Sequence, residues 1–188
     1  EEIRPWKPLL AGRTDSILLV EGKIDCEYIE LLRDARLGPD QLQFDGDIVP
    51  YDGTGNLRNN VLLRFVKNRY RRVVVTYDLD SVAQLESSLS GLGFEKNKHH
   101  VAIGIDAPGK RCIEGLLPAE VRARVYGQYH ELVAQSTAGT REEKDSATCR
   151  LKQLLLDAFK EDLQAGSVDL SQFKLLARSL NRAFAQQG

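Results

Sequence analysis

Two short apolar runs restrict the folds open to this chain. Ser16–Val20 reads SILLV, and residues 73–77 read VVVTY, the second dense in β-branched side chains. Runs this short, apolar throughout rather than at alternate positions, are the pattern of strands buried on both faces. Helical spacing follows each of the early strands. Residues 24–37 carry Ile24, Tyr28, Leu31, Leu32 and Ala35, ended by Gly38-Pro39, and residues 57–67 carry Leu57, Val61, Leu62, Phe65 and Val66. Residues 47–51 and 100–105 add two more predicted strands, and residues 81–92 a further helix. A polar Asp52-Gly53-Thr54-Gly55-Asn56 stretch after the second strand reads as a turn. This alternation predicts right-handed crossovers and a mostly parallel sheet with helices on both faces, an α/β fold. Ligands of such sheets bind at the carboxyl ends of the strands.

After Pro118 the pattern becomes helical throughout. Residues 119–133, 142–164 and 171–186 are expected as helices, separated by Ser136-Thr137-Ala138-Gly139 and Gly166-Ser167. The chain therefore divides into residues 1–118, an α/β domain, and residues 119–188, a small C-terminal helical appendage. No apolar run approaches the roughly eighteen residues that cross a bilayer, and no signal-peptide pattern opens the chain, so no membrane partner is expected. Cys26, Cys112 and Cys149 lie far apart and form no CxxC pair, which argues against a zinc ribbon or a disulfide scaffold and for a cytoplasmic home. The chain begins Glu1-Glu2 and contains no methionine, so a fragment or processed product is expected. Its net charge of −1 lends no support to non-specific nucleic-acid binding, which rests on neutralising phosphates.

The chemistry is written at two strand ends. Val20-Glu21-Gly22-Lys23-Ile24-Asp25 follows the first strand directly, and Asp78-Leu79-Asp80 follows the third. With both strands parallel, four carboxylates converge on one edge. Gly22 is expected to let the chain turn out of the strand at low steric cost, and Asp25 falls in the first helical turn, where the dipole favours an anion. Clustered carboxylates raise one another's proton affinity unless a positive charge joins them. A hard divalent cation bound through oxygens meets that need.

The V-E-G-x-x-D and D-x-D motifs, in this order and strand context, resemble the signature of the Toprim fold, a Rossmann-like module of topoisomerases, primases and nucleases. The resemblance covers roughly residues 17–117. It implies that Glu21 is a general acid/base or metal ligand, that Asp78 and Asp80 hold metal, and that Asp25 extends the first motif. The stretch from Gly104 to Ile113-Glu114-Gly115-Leu116-Leu117-Pro118, followed by a helical tail, is similar to the C-terminal region of overcoming-lysogenization-defect nucleases. That resemblance implies a two-metal DNA endonuclease using Mg²⁺ or Mn²⁺, with an ATPase domain on its N-terminal side. It also implies Glu114 as a further metal carboxylate, Thr76 as a hydroxyl near the metals, and a tail lysine stabilising the transition state. Lys174 is the choice for that role, ahead of Lys144 and Lys152. The alternatives are an RNA-cleaving Toprim nuclease and a noncatalytic Toprim-like module that binds nucleic acid.

Other signals point elsewhere. Residues 104–110 match G-x-x-x-x-G-K, but Arg111 stands where a P-loop places Ser or Thr, and Pro118 leaves little helix behind it. Lys67-Asn68-Arg69-Tyr70-Arg71-Arg72 is the densest basic stretch, and it precedes the third strand, so it should lie on the edge opposite the carboxylates. His99-His100 reads as a polar loop entering a strand, and Trp6 as an anchor for the N-terminal segment.

Overall fold

The structure, a computed structural model, describes residues 14–57 and 60–188; Trp6 lies outside them. Strands β1 (Ser16–Val20), β2 (Asp47–Pro50), β3 (Arg72–Asp78) and β4 (His100–Ile103) form one sheet in the order β2-β1-β3-β4, with every neighbouring pair parallel. The fold is α/β, Rossmann-like, with helices on both faces and further helices at the C-terminal end. The two apolar runs become the central pair, Leu19 level with Val75. Their period of two sorts the side chains: Leu18, Val20 and Val74 join one apolar cluster, and Ile17, Leu19, Val73, Val75 and Tyr77 the other.

Helix α1 (Lys23–Leu31) covers the first face with Tyr28 and Ile29. A short α2 (Thr54–Leu57) leads to α3 (Asn60–Arg69), which covers the second face with Leu63 and Val66, as α4 (Val82–Gly91) does with Leu85 and Leu89. The chain thus leaves β1 toward β2 with its helix on one face and returns through β3 to β4 with helices on the other. That reversal makes a topological switch point between the carboxyl ends of β1 and β3.

The remaining helices are α5 (Ala119–Gln128), α6 (His130–Ala138), α7 (Arg141–Ala165) and α8 (Ser171–Ala185). Leu155, Leu156 and Phe159 of α7 and Phe173, Leu180 and Phe184 of α8 share one apolar cluster with Leu18, Val20 and Tyr28. Phe159 and Phe173 stack with centroids 4.6 Å apart, and Tyr28 lies 6.0 Å and 5.9 Å from them. The sheet and the C-terminal helices therefore share a core. Thr140 and Glu143 cap α7 reciprocally, and Gly166, in the left-handed region at φ 70°, ends it. Among the described residues, no helix is long and apolar enough to cross a membrane.

Several boundaries differ from those expected. The helix expected over residues 24–37 stops at Leu31, and a 3-10 stretch, Ala35–Asp40, passes through Gly38 at φ 61°. Leu37 and Leu42 stay buried there, and Leu42 N–H donates to Leu32 O at 2.7 Å, so tertiary contacts fold back what periodicity extended. The helix expected over 119–133 breaks at Tyr129 (φ −116°, ψ 41°), and α6 runs on through the Ser136-Thr137-Ala138 stretch expected as a separator. Gly104, at φ 126°, ends β4 two residues early.

Candidate functional site

Glu21 leaves β1 directly and Asp78 closes β3, so neighbouring parallel strands deliver both carboxylates to the switch point. Asp25, in the first turn of α1, is buried, and its Oδ2 accepts from Gly22 N–H at 2.9 Å. Gly22 is extended (φ −144°, ψ 179°), a conformation open to any residue, so the expected easing of a turn is not its role. Its contribution is room, because a Cβ there would stand 3.2 Å from Asp25 Oδ2. Glu114 arrives from the other side on a 3-10 turn, Ile113–Leu116, and is 4% exposed. Leu79 N–H, donating to Arg111 O at 2.8 Å, ties the segment before that turn to the end of β3. Asp80 is exposed, accepts from Ser81 Oγ at 3.2 Å, and its charge reaches Glu21.

The electrostatics follow from burial and crowding. Burial, then the neighbouring Asp25 and Glu21 charges, push the Asp78 carboxyl up to about 8. Burial, then Glu114 and Glu21, push Asp25 up to about 6, with Lys152 pulling the other way. Glu21 is raised by burial and by Asp80 and Glu114, against Lys152 and the Asp78 backbone N–H. Lys152 projects from α7 into this set, its Nζ 3.1 Å from Glu114 Oε1. Burial works against its ammonium, but Glu114, Asp25 and Asp78 outweigh it and hold the group above the ordinary lysine value.

Compensation is incomplete. Glu21 Oε2 and the Tyr28 hydroxyl are buried without a hydrogen-bond partner, and the two buried Glu114 oxygens have only the Lys152 ammonium, 3.1 Å from Oε1, and the Cys112 thiol beside them. Tyr28 Oη lies close enough to Glu114 and Asp25 for burial and their charges to raise its proton affinity. Orphaned buried oxygens on like-charged carboxylates fit a hard divalent cation, and Glu21, Asp25, Asp78, Asp80 and Glu114 are the residues that would hold it. Among the described residues, no three acidic, imidazole or thiol groups form a ready-made ligand cage. The repelling carboxylates stand apart, Asp25 turned onto Gly22 N–H and Glu114 onto Lys152.

Two expected site residues have other partners. Thr76 is 1% exposed, and its Oγ1 donates to Leu19 O at 3.2 Å, so its hydroxyl stitches β3 to β1 inside the sheet. Lys174, on α8, lies near Asp40, whose partner is Arg178. The lysine among the carboxylates is Lys152, a rival to the expected Lys174. Lys144 sits about two turns before it on α7, in the first turn, its N–H donating to Thr140 O. A signal for Lys152 was present: residues 152, 156, 159 and 163 fall on one helical stripe, and Leu156, Phe159 and Leu163 are buried. A lysine in line with such a stripe needs a partner.

The basic stretch lies at the opposite edge, where Arg72 Nε donates to Ser16 Oγ at 2.8 Å and Lys67 Nζ to Gly93 O at 2.7 Å. In the segment after Gly104, Ile105 N–H donates to Lys110 O and Lys110 N–H to Ala107 O. These amides are spent inside the loop, and a four-residue 3-10 turn follows in place of a P-loop helix. His100 is buried against Tyr77 Oη, 2.8 Å from its Nδ1. Fold and site together define a parallel α/β protein with an under-compensated acidic edge at its switch point. Compared with known proteins, the chain matches no family model, no curated protein and no solved structure.

Proposed function

We propose that this chain is a divalent-metal-dependent nuclease of the Toprim kind, hydrolysing phosphodiester bonds in DNA. One observation carries the reading: adjacent parallel strands bring Glu21 and Asp78 together at the switch point, where Asp25, Asp80 and Glu114 leave negative charge that Lys152 alone does not balance. The V-E-G-x-x-D and D-x-D motifs supply the two strand ends. Bound there, Mg²⁺ or Mn²⁺, as a pair of ions, supplies Lewis-acid polarisation of a phosphoryl oxygen and lowers the pKa of water. Glu21 has a raised proton affinity and a free oxygen, so it is suited to take a proton from water or return one to the leaving oxygen. Lys152 presents a held ammonium on the rim of the same site, placed to offset charge on a phosphate. An N-terminal ATPase domain and a cytoplasmic setting accompany this reading as part of the proposal.

The test is supercoiled plasmid incubated with the chain in Mg²⁺, Mn²⁺, Ca²⁺ or EDTA, beside Asp78→Ala and Glu21→Ala. Nicking or linearisation that requires Mg²⁺ or Mn²⁺ and is lost in both variants supports the proposal. Metal binding without DNA cleavage, together with cleavage of RNA, moves the substrate to RNA. Absence of cleavage and of metal binding leaves a noncatalytic module.

A further inference from the structure

Beside the acidic edge, where α5, α6 and α7 meet, lies a cavity of about 330 Å³. Glu114, Lys152 and Cys112 line one part of it, and because Glu114 and Lys152 also belong to the acidic set, the cavity adjoins the acidic site. The other walls are largely apolar: Val133, Leu151, Leu155 and the ring of Tyr126, which is 39% exposed. Ser136 and Thr148 bring hydroxyls to the lining. The site chemistry described above uses none of these six.

We propose that this cavity receives one unpaired nucleobase next to the phosphate held at the acidic edge, an inference that rests on the nuclease reading. Glu114 and Lys152 border both, so a group joined to that phosphate by a short covalent link can reach the cavity. In a nucleic acid, that group is the base of the adjoining nucleotide. The volume lies at the small end of ligand pockets, roughly 300–1,000 Å³, and is ample for a single flat ring system. Apolar walls with an aromatic ring and a few hydroxyls suit a base, which offers a π-face and polar edges. A base inside a duplex must first leave its stack, so the inference makes single strands, frayed ends and mismatches better substrates than intact duplex.

Adenosine and thymidine test the cavity directly, because they carry the base without a phosphate for the carboxylates to repel. They are titrated in EDTA into chain labelled at its Val, Leu and Thr methyl groups and followed by NMR. The expected result is saturable shifts confined to Val133, Leu151, Leu155 and Thr148. Ser136→Phe should abolish them by filling the cavity, and α6 buries none of its residues, so the fold should bear the change. Tyr126→Ala should weaken binding about tenfold through loss of stacking, and it decides the matter if Ser136→Phe unfolds. Unmoved methyls, shifts scattered over the surface, or shifts retained in both variants overturn the proposal. The experiment needs neither metal nor turnover. A chain that cuts DNA yet ignores nucleosides overturns the cavity inference alone, whereas one that binds nucleosides here without cutting overturns the nuclease reading alone.

Discussion

Lys152 Nζ stands 3.1 Å from Glu114 Oε1, joining the middle of a C-terminal helix to the turn that follows the last strand. Glu114 is 6% exposed at its side chain and Lys152 is 36% exposed. Breaking a fully buried pair costs about 3–5 kcal/mol, and the solvent around Lys152 discounts that here to roughly 1–2 kcal/mol. Lys152→Met should therefore lower the chemical-denaturation stability by that amount at pH 7.5 in EDTA. The loss should shrink at pH 5, where Asp25 and Asp78, whose charges Lys152 also offsets, hold their protons. Equal losses at both pH values would mean that the side chain matters only for packing.

The carboxyls of Asp25 and Asp78 are pushed up to about 6 and about 8 from an ordinary 3.8. The folded state therefore holds their protons to higher pH than the unfolded chain does. Their contribution to stability is intact below about pH 4 and is lost as pH climbs through the folded values. Exposed pairs such as Asp34–Arg36, which holds the Asp34 carboxyl at about 2, slope the other way. The comparison with Asp78→Asn isolates the site: in EDTA this variant should melt higher than wild type at pH 8.5 and at the same temperature near pH 4. A constant offset between the two curves would show that Asp78 carries no such shift.

Tyr28→Phe removes a buried hydroxyl that has no partner while leaving the ring among Phe159 and Phe173. An unsatisfied buried polar group costs about 1–3 kcal/mol. The expected outcome in EDTA is a rise in stability of that order. A lower melting temperature would show that the hydroxyl donates to Glu114 or Asp25 in solution.

Phe159 is 1% exposed and packs in the cluster that also holds Leu18, Val20 and Val74. Phe159→Ala should cost about 3–5 kcal/mol. Because sheet and helices share this core, loss of helical circular dichroism and of tertiary tyrosine signals should coincide in one shifted transition. An early transition confined to the helical signal would show that the C-terminal helices unfold separately.

The strands were legible because burial on both faces leaves an unmistakable mark: Ser16–Val20 matches to the residue, and β3 exceeds its expected span by one residue at each end. The meeting of Glu21, Asp25, Asp78 and Asp80 followed from parallel pairing alone. Helix ends were less legible, since Leu32, Leu37 and Leu42 are buried by the fold-back around Gly38 rather than by a continuing helix. The bonding of the Thr76 hydroxyl was not legible, because a strand pattern does not say whether a hydroxyl already has a partner, here Leu19 O. The stripe through Leu156, Phe159 and Leu163 puts Lys152 on the buried side of its helix, but which groups it and Tyr126 meet depends on how α5 and α7 dock beside the sheet, a relation between distant segments.

The sheet order β2-β1-β3-β4 has a consequence for how the chain comes into being. β1 is the first strand of the described residues, yet it sits at the centre of the sheet, with Leu18 and Val20 in one apolar cluster with Phe173 and Phe184 of α8, far along the chain. Until β3 emerges, one flank of β1 lacks its ladder, and until α8 emerges the β3 and β4 part of the face that α1 shares stays uncovered. Such long-range closure makes folding slow. During that interval the apolar runs that specify the fold are also the segments most open to pairing with a second chain. Slower synthesis or lower temperature during expression should accordingly favour the native molecule over aggregates.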